Sequence, residues 1–111
     1  MKFDTIIIGG GLSGLTAGLA LQKAGKRVAI VSMGQSTLHF NSGTFDLLGY
    51  DAQGAAVSHP LEAIAKLDAN HPYSKCENVE ALADEAKALL AEVGVRTTGD
   101  AKANHYRITP M

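Results

Sequence analysis

The chain has 111 residues, 46% of them hydrophobic and 19% charged, which fits a single soluble globular domain with a modest core. Ten Lys plus Arg against eleven Asp plus Glu leave no field to attract nucleic acid or anionic lipid, and no basic cluster hides within that balance. The lone cysteine, Cys76, excludes an intramolecular disulfide and fits a reducing compartment, and no apolar run approaches the roughly 18 residues of a membrane span. Lys2 followed by Ile6-Ile7-Ile8 is too short an apolar core for a signal peptide.

Thr5 to Ile8 is β-branched throughout and reads as a strand buried on both faces, as in a parallel sheet. Gly9, Gly10 and Gly11 follow at once. From Leu12 the period becomes helical, with Leu12, Leu15, Leu19 and Gln22 on one face and Ala17, Ala20, Leu21 and Ala24 beside it, so a helix is expected to about Lys23. Gly25 supplies its stop, and Lys23, Lys26 and Arg27 suit the negative end of its dipole. Val28 to Val31 is a second strand. Residues 1–33 are thus a βαβ unit whose glycines answer three demands. Gly9 permits a tight exit from the strand, Gly11 removes a Cβ that would keep a pyrophosphate away, and Gly14 lets helix and strand approach closely. Gly9, Gly10, Gly11, Leu12, Ser13 and Gly14 are therefore candidate cofactor-binding residues, the helix start offering free N–H groups to an anion. The alternative is a merely tight turn in some other α/β protein.

In a dinucleotide-binding unit the second strand ends on Asp or Glu, which hydrogen-bonds a ribose; here that place falls to Ser32, followed by Met33. Both join the candidate contacts. A serine can still bond a ribose, but without charge, which argues against tight NAD binding. Residues 34–58 form a polar stretch that also carries Leu38, Phe40, Phe45, Leu47 and Leu48, too apolar for a solvated linker and suited to a cofactor-side wall. Ser36, Ser42 and Gly43 offer hydroxyl and backbone donors, and His39 is either a flavin contact or a hydrogen-bonded loop histidine.

Residues 59–94 read as a helical insertion. Pro60 opens a short helix with Leu61, Ile64 and Ala65 on its buried face, and Asp68 to Pro72 breaks it. Ser74-x-x-Glu77 offers a capping box, with Asn78 as a rival cap, before Val79, Leu82, Ala83, Ala86, Leu89, Leu90 and Val93 keep a helical period that Gly94 ends. Residues 95–111 begin a β region, with Val95 to Thr98 and His105 to Thr109 as two strands. His71 and Tyr73 could meet substrate or simply fix a loop, and Arg96 and Arg107 could bind a phosphate or solvate the surface. No residue is assigned a catalytic role. Carboxylate pairs, metal-ligand spacing and a Ser-His-Asp arrangement are all missing from the pattern.

Gly34-Gln35-Ser36-Thr37-Leu38-His39-Phe40-Asn41-Ser42-Gly43-Thr44-Phe45-Asp46-Leu47-Leu48 and the later His71-Pro72-Tyr73-Ser74, together with the glycine motif, resemble the B-subunit family of the anaerobic glycerol-3-phosphate dehydrogenases over nearly the whole chain. The resemblance implies a Rossmann-like FAD/NAD(P)-binding fold of α/β class, here as the N-terminal part of a larger flavoprotein whose sheet is completed by later segments. It further implies oxidation of sn-glycerol 3-phosphate to dihydroxyacetone phosphate with electrons passing to the quinone pool. FMN is the cofactor the family implies, whereas the glycine motif alone favours FAD. Two partners are implied as well: a larger catalytic protein that bears FAD, and an iron-sulfur protein that anchors the complex to the cytoplasmic side of the inner membrane. A non-catalytic relay role, or an unrelated FAD-dependent oxidoreductase, stays open. The piece alone is expected not to hold flavin tightly.

Overall fold

The computed structural model describes residues 1–105 and divides the chain into two compact units, Met1–Thr44 and one that begins at Phe45. In the first, strand β1 (Thr5–Ile8), helix α1 (Leu12–Lys23) and strand β2 (Val28–Val31) follow in order. The strands pair in parallel, Thr5 opposite Val28 through Ile8 opposite Val31. Hydrogen bonds continue the ladder at both ends, from Asp4 N to the Arg27 carbonyl (2.9 Å) and from Gly9 N to the Val31 carbonyl (2.8 Å). The Asp4 carboxylate accepts from Arg27 N at 2.8 Å, fixing the register where the crossover returns.

The sheet meets α1 through glycine rather than leucine. Gly18 is buried, and a Cβ built there would lie 3.0 Å from Ile30 Cδ1 and 3.5 Å from Ile7 Cδ1. Leu12, Leu15 and Leu19 stay exposed on the flank of the helix. At Gly18 the helix backbone therefore lies close against the ends of the Ile30 and Ile7 side chains. The helix then ends as its sequence dictates, Gly25 taking φ +77° and donating to the Gln22 carbonyl at 2.9 Å.

The expectation that β1 is buried on both faces is corrected. Ile6 is 63% exposed, Ile8 89% and Val31 58%, because α1 covers one face of the two-stranded sheet and no described element of this unit covers the other. A β-branched run specifies a strand, but burial of its second face needs a second layer.

In the second unit, a bridge between Tyr50 and Ala56 closes a turn in which the Asp51 carboxylate accepts from Gln53 N (2.9 Å) and Ala55 N (2.8 Å). Asn104 fastens the following segment: its side-chain amide donates to the carbonyls of Val57 (2.7 Å) and Leu48 (3.2 Å), and its N–H to that of Ser58 (2.9 Å). Pro60 opens helix α2 (Pro60–Ile64), and the buried residues here are Val57, Pro60, Ile64 and Ala101. Ala65, expected on the buried face, is exposed because the helix has already ended at Ile64.

Helix α3 (Val79–Glu92) is capped by Asn78, whose side-chain oxygen accepts from Ala81 N at 2.9 Å. The rival capping box does not form. Ser74 Oγ instead donates to the Asp68 carbonyl at 2.9 Å, in the break between the helices. Along α3, Val79, Ala83, Ala86, Leu89 and Leu90 are half-buried, whereas Leu82 and Val93 are exposed. Lys87 Nζ reaches the Gly99 carbonyl at 2.8 Å, and Lys102 pairs with Glu80 at 3.3 Å.

No strand forms at Val95 to Thr98, a second correction; those residues run as an irregular segment to an isolated bridge between Asp100 and Ala103. Alternation alone holds no strand without a neighbouring ladder to receive its hydrogen bonds. The strand expected at His105 to Thr109 and the candidate Arg107 lie outside the described residues, apart from His105 itself, which is irregular. No helix among the described residues is long and apolar enough to cross a membrane.

Candidate functional site

The site is the turn from β1 into α1. Gly9 takes φ +115°, a conformation that L side chains rarely adopt, so the strand can reverse toward the helix within a residue. Gly11 follows in an extended conformation (φ −78°, ψ −179°) as the residue capping α1, and its carbonyl accepts the first helical hydrogen bond from Leu15 N at 2.9 Å. No side chain caps this end and no acidic residue lies in the first turn. The N–H groups of Gly11, Leu12, Ser13 and Gly14 therefore have no protein acceptor among the described residues.

Space is arranged to match. A Cβ at Gly11 would find nothing within 4 Å, so the cradle in front of those donors is open. A Cβ at Gly14 would collide with the Gly9 carbonyl oxygen and lie 3.2 Å from Ile7 Cγ2, so Gly14 is what lets the helix start sit on the strand end. An anion in the cradle would meet the donors and the positive end of the α1 dipole, worth about 0.3–1 kcal/mol per charge when exposed and about 2 when partly buried. The turn from Gly9 to Gly14 carries no titratable side chain, so the arrangement can hold an anion but offers no side chain to move a proton. These residues fit a flavin phosphate.

Ser32 leaves β2 beside this turn. A Cβ on Gly10 would come within 2.8 Å of Ser32 Oγ, and that hydroxyl donates to the Gly34 carbonyl at 3.1 Å. Met33, next in the chain, is fully exposed. The remaining candidates of this unit are engaged locally. Ser36 Oγ accepts from Leu38 N at 3.2 Å and starts a 3-10 turn, Thr37–Phe40. His39 is exposed, its ring edge-on to Phe40 with centroids 5.1 Å apart. Ser42 Oγ shares a 2.7 Å hydrogen bond with Thr44 Oγ1, and Gly43 N donates to the Asn41 side chain at 2.6 Å. Among the described residues no hydrogen bond ties this loop to the glycine turn.

In the second unit, His71 Nδ1 accepts from Tyr73 N at 3.2 Å and caps the 3-10 turn Pro72–Lys75, with the two rings 5.3 Å apart. That is the loop-fixing role. Arg96 is exposed, and among the described residues no group of three or more His, Cys, Asp or Glu could hold a metal ion. Sequence reasoning missed Gly18, the buried contact point of α1. Its signal was present as a glycine four residues after Gly14, on the same helical face.

The FAD binding domain family matches residues 4–111 of the chain. Proteins named as the B subunit of anaerobic glycerol-3-phosphate dehydrogenase are similar along the whole chain: 50% identical in Yersinia pestis bv. Antiqua (strain Antiqua), 47% in Pectobacterium carotovorum subsp. carotovorum (strain PC1) and 44% in Aliivibrio fischeri (strain MJ11). The chain spans 28% of the length of the first two and 26% of the third. No solved structure gives a significant match. The resemblance read from the Gly34–Leu48 and His71–Ser74 stretches is thereby borne out, as is a Rossmann-like βαβ unit of FAD-binding type.

Proposed function

We propose, because this chain belongs to the FAD binding domain family, that it is the flavin-phosphate-holding part of one subunit of an oxidoreductase. One observation carries the reading: the open cradle at Gly11, facing an uncapped helix start whose donors have no protein acceptor among the described residues. Gly11, Leu12 and Ser13 hold the phosphate through main-chain N–H groups, Gly9 and Gly14 shape the turn, and Ser32 and Met33 border it. When bound, the flavin supplies the chemistry, accepting two electrons from an alcohol and passing them on.

The name its relatives carry supports the finer reading. The protein acts in anaerobic oxidation of sn-glycerol 3-phosphate to dihydroxyacetone phosphate, with electrons delivered to the quinone pool. It works beside a larger catalytic protein that bears FAD and an anchoring iron-sulfur protein, peripherally on the cytoplasmic side of the inner membrane. FMN is the favoured cofactor, as the family resemblance implies, and FAD is the alternative that the glycine motif favours. A second reading, an electron relay without catalysis of its own, is favoured by the lack of any titratable side chain in the glycine turn.

The test is cofactor release from the natural full-length protein carrying this chain, followed by dye-linked oxidation of sn-glycerol 3-phosphate with and without the two partners. Stoichiometric flavin with substrate-dependent activity supports the dehydrogenase reading. Flavin present, with activity that needs only the larger FAD-bearing partner, supports the relay. A protein that binds no flavin overturns both.

A further inference from the structure

Ser32 occupies the position immediately after β2 where a dinucleotide-binding unit presents a carboxylate to a ribose hydroxyl. In this chain the side chain is turned to other partners. Its Oγ donates to the Gly34 carbonyl at 3.1 Å, so its one proton is already committed. It also packs on the glycine turn, where a Cβ on Gly10 would lie 2.8 Å from Oγ and 3.0 Å from the serine Cβ. Gly34, at φ +121°, bends the chain so that its carbonyl can receive that proton. What Ser32 can still offer a ribose is a neutral acceptor, about half as strong as a charged one.

We propose that Ser32 is the specificity-determining residue for the flavin: engaged with Gly34 and packed on Gly10, it leaves an adenosine ribose unread, so the turn takes a mononucleotide by its phosphate. The inference rests on the reading that this turn holds a flavin phosphate. It goes beyond that reading by assigning the choice of cofactor to one side chain. It also makes Gly10 part of the selection, since any larger residue there would displace Ser32 from its partner.

The experiment uses the natural full-length protein freed of flavin, with Ser32→Ala, Ser32→Asp and Ser32→Glu variants. FMN and FAD are titrated separately and followed by flavin fluorescence, and folding is checked by circular dichroism. A carboxylate at this place shifts the ratio of FAD to FMN affinity about tenfold toward FAD, while Ser32→Ala leaves the ratio within about twofold. If Ser32→Glu fails to fold beside Gly10, the shorter Ser32→Asp carries the comparison; if neither folds, Ser32→Ala decides it. An unmoved ratio in the folded acidic variants, or a selective loss of FAD affinity in Ser32→Ala, overturns the proposal while the phosphate site stands. Wild-type protein that binds neither flavin overturns the phosphate reading itself.

Discussion

Gly14→Ala and Gly11→Ala add the same methyl group three residues apart, and the structure gives them opposite consequences. At Gly14 the new Cβ meets the Gly9 carbonyl oxygen, and it lies 3.2 Å from the Gly9 carbonyl carbon and from Ile7 Cγ2. Backbone cannot swing aside as a flexible side chain can, so α1 must move off β1. A clash with backbone sits at the upper end of overpacking costs, about 2–3 kcal/mol, and about 1 kcal/mol from the better helix propensity of alanine offsets it, for a net loss of about 1–2 kcal/mol. At Gly11, φ is −78° and the Cβ would find nothing within 4 Å, so no clash arises and only the exchange of a glycine cap for alanine counts, about 0.5–1 kcal/mol. That methyl instead fills the space assigned to phosphate, and about 1–3 kcal/mol of steric cost there weakens flavin binding about 5- to 150-fold. Urea denaturation of the flavin-free natural protein reads the first effect as a lower midpoint with an unchanged slope, and flavin titration reads the second. Wild-type flavin affinity in Gly11→Ala would refute the cradle, and an unchanged midpoint in Gly14→Ala would refute the close approach.

Gly18→Ala places its methyl 3.0 Å from Ile30 Cδ1, the end of a half-exposed side chain that can rotate away, so helix propensity wins and thermal unfolding should show a gain of about 0.5 kcal/mol. Asn78→Ala removes the cap that receives Ala81 N and should cost about 1 kcal/mol in chemical denaturation, whereas Glu77→Ala, outside that cap, should cost less than about half as much. The Asp100 carboxylate is held below its ordinary value of 3.8, chiefly by the N–H of Lys102. A lowered folded pKa gives stability that is present above 3.8 and is lost as the pH falls through the folded value. The stability gap between wild type and Asp100→Asn should therefore close on acidification below 3.8, as read by denaturation at stepped pH; a gap that widens there would contradict the hydrogen bond.

The elements of the first unit were legible because their signals are local. Four β-branched residues, a glycine cluster and a 3.6-residue period placed β1, α1 and β2 at the bounds observed. The glycine roles were legible for the same reason, since a tight exit and a close approach are demands on single residues. What depends on a neighbouring layer was not. The leucines of α1 look like its buried stripe, yet Gly14 and Gly18 face the sheet, and Ile6 and Ile8 give no sign of which face a helix will cover. Val95 to Thr98 alternates like a strand but has no ladder to join. The choice between Ser74 and Asn78 as a cap turned on a competing acceptor, the Asp68 carbonyl, six residues from Ser74. At the site, the open turn was readable, but the engagement of Ser32 with Gly34 was not, because a serine hydroxyl takes whichever acceptor the bend supplies.

The most direct measurement is an experimental structure of the natural full-length protein saturated with its flavin. A phosphate oxygen about 2.7–3.2 Å from the main-chain nitrogens of Gly11, Leu12 or Ser13 is the predicted result. A flavin phosphate bound elsewhere, or the space before Gly11 filled by protein atoms, would contradict it.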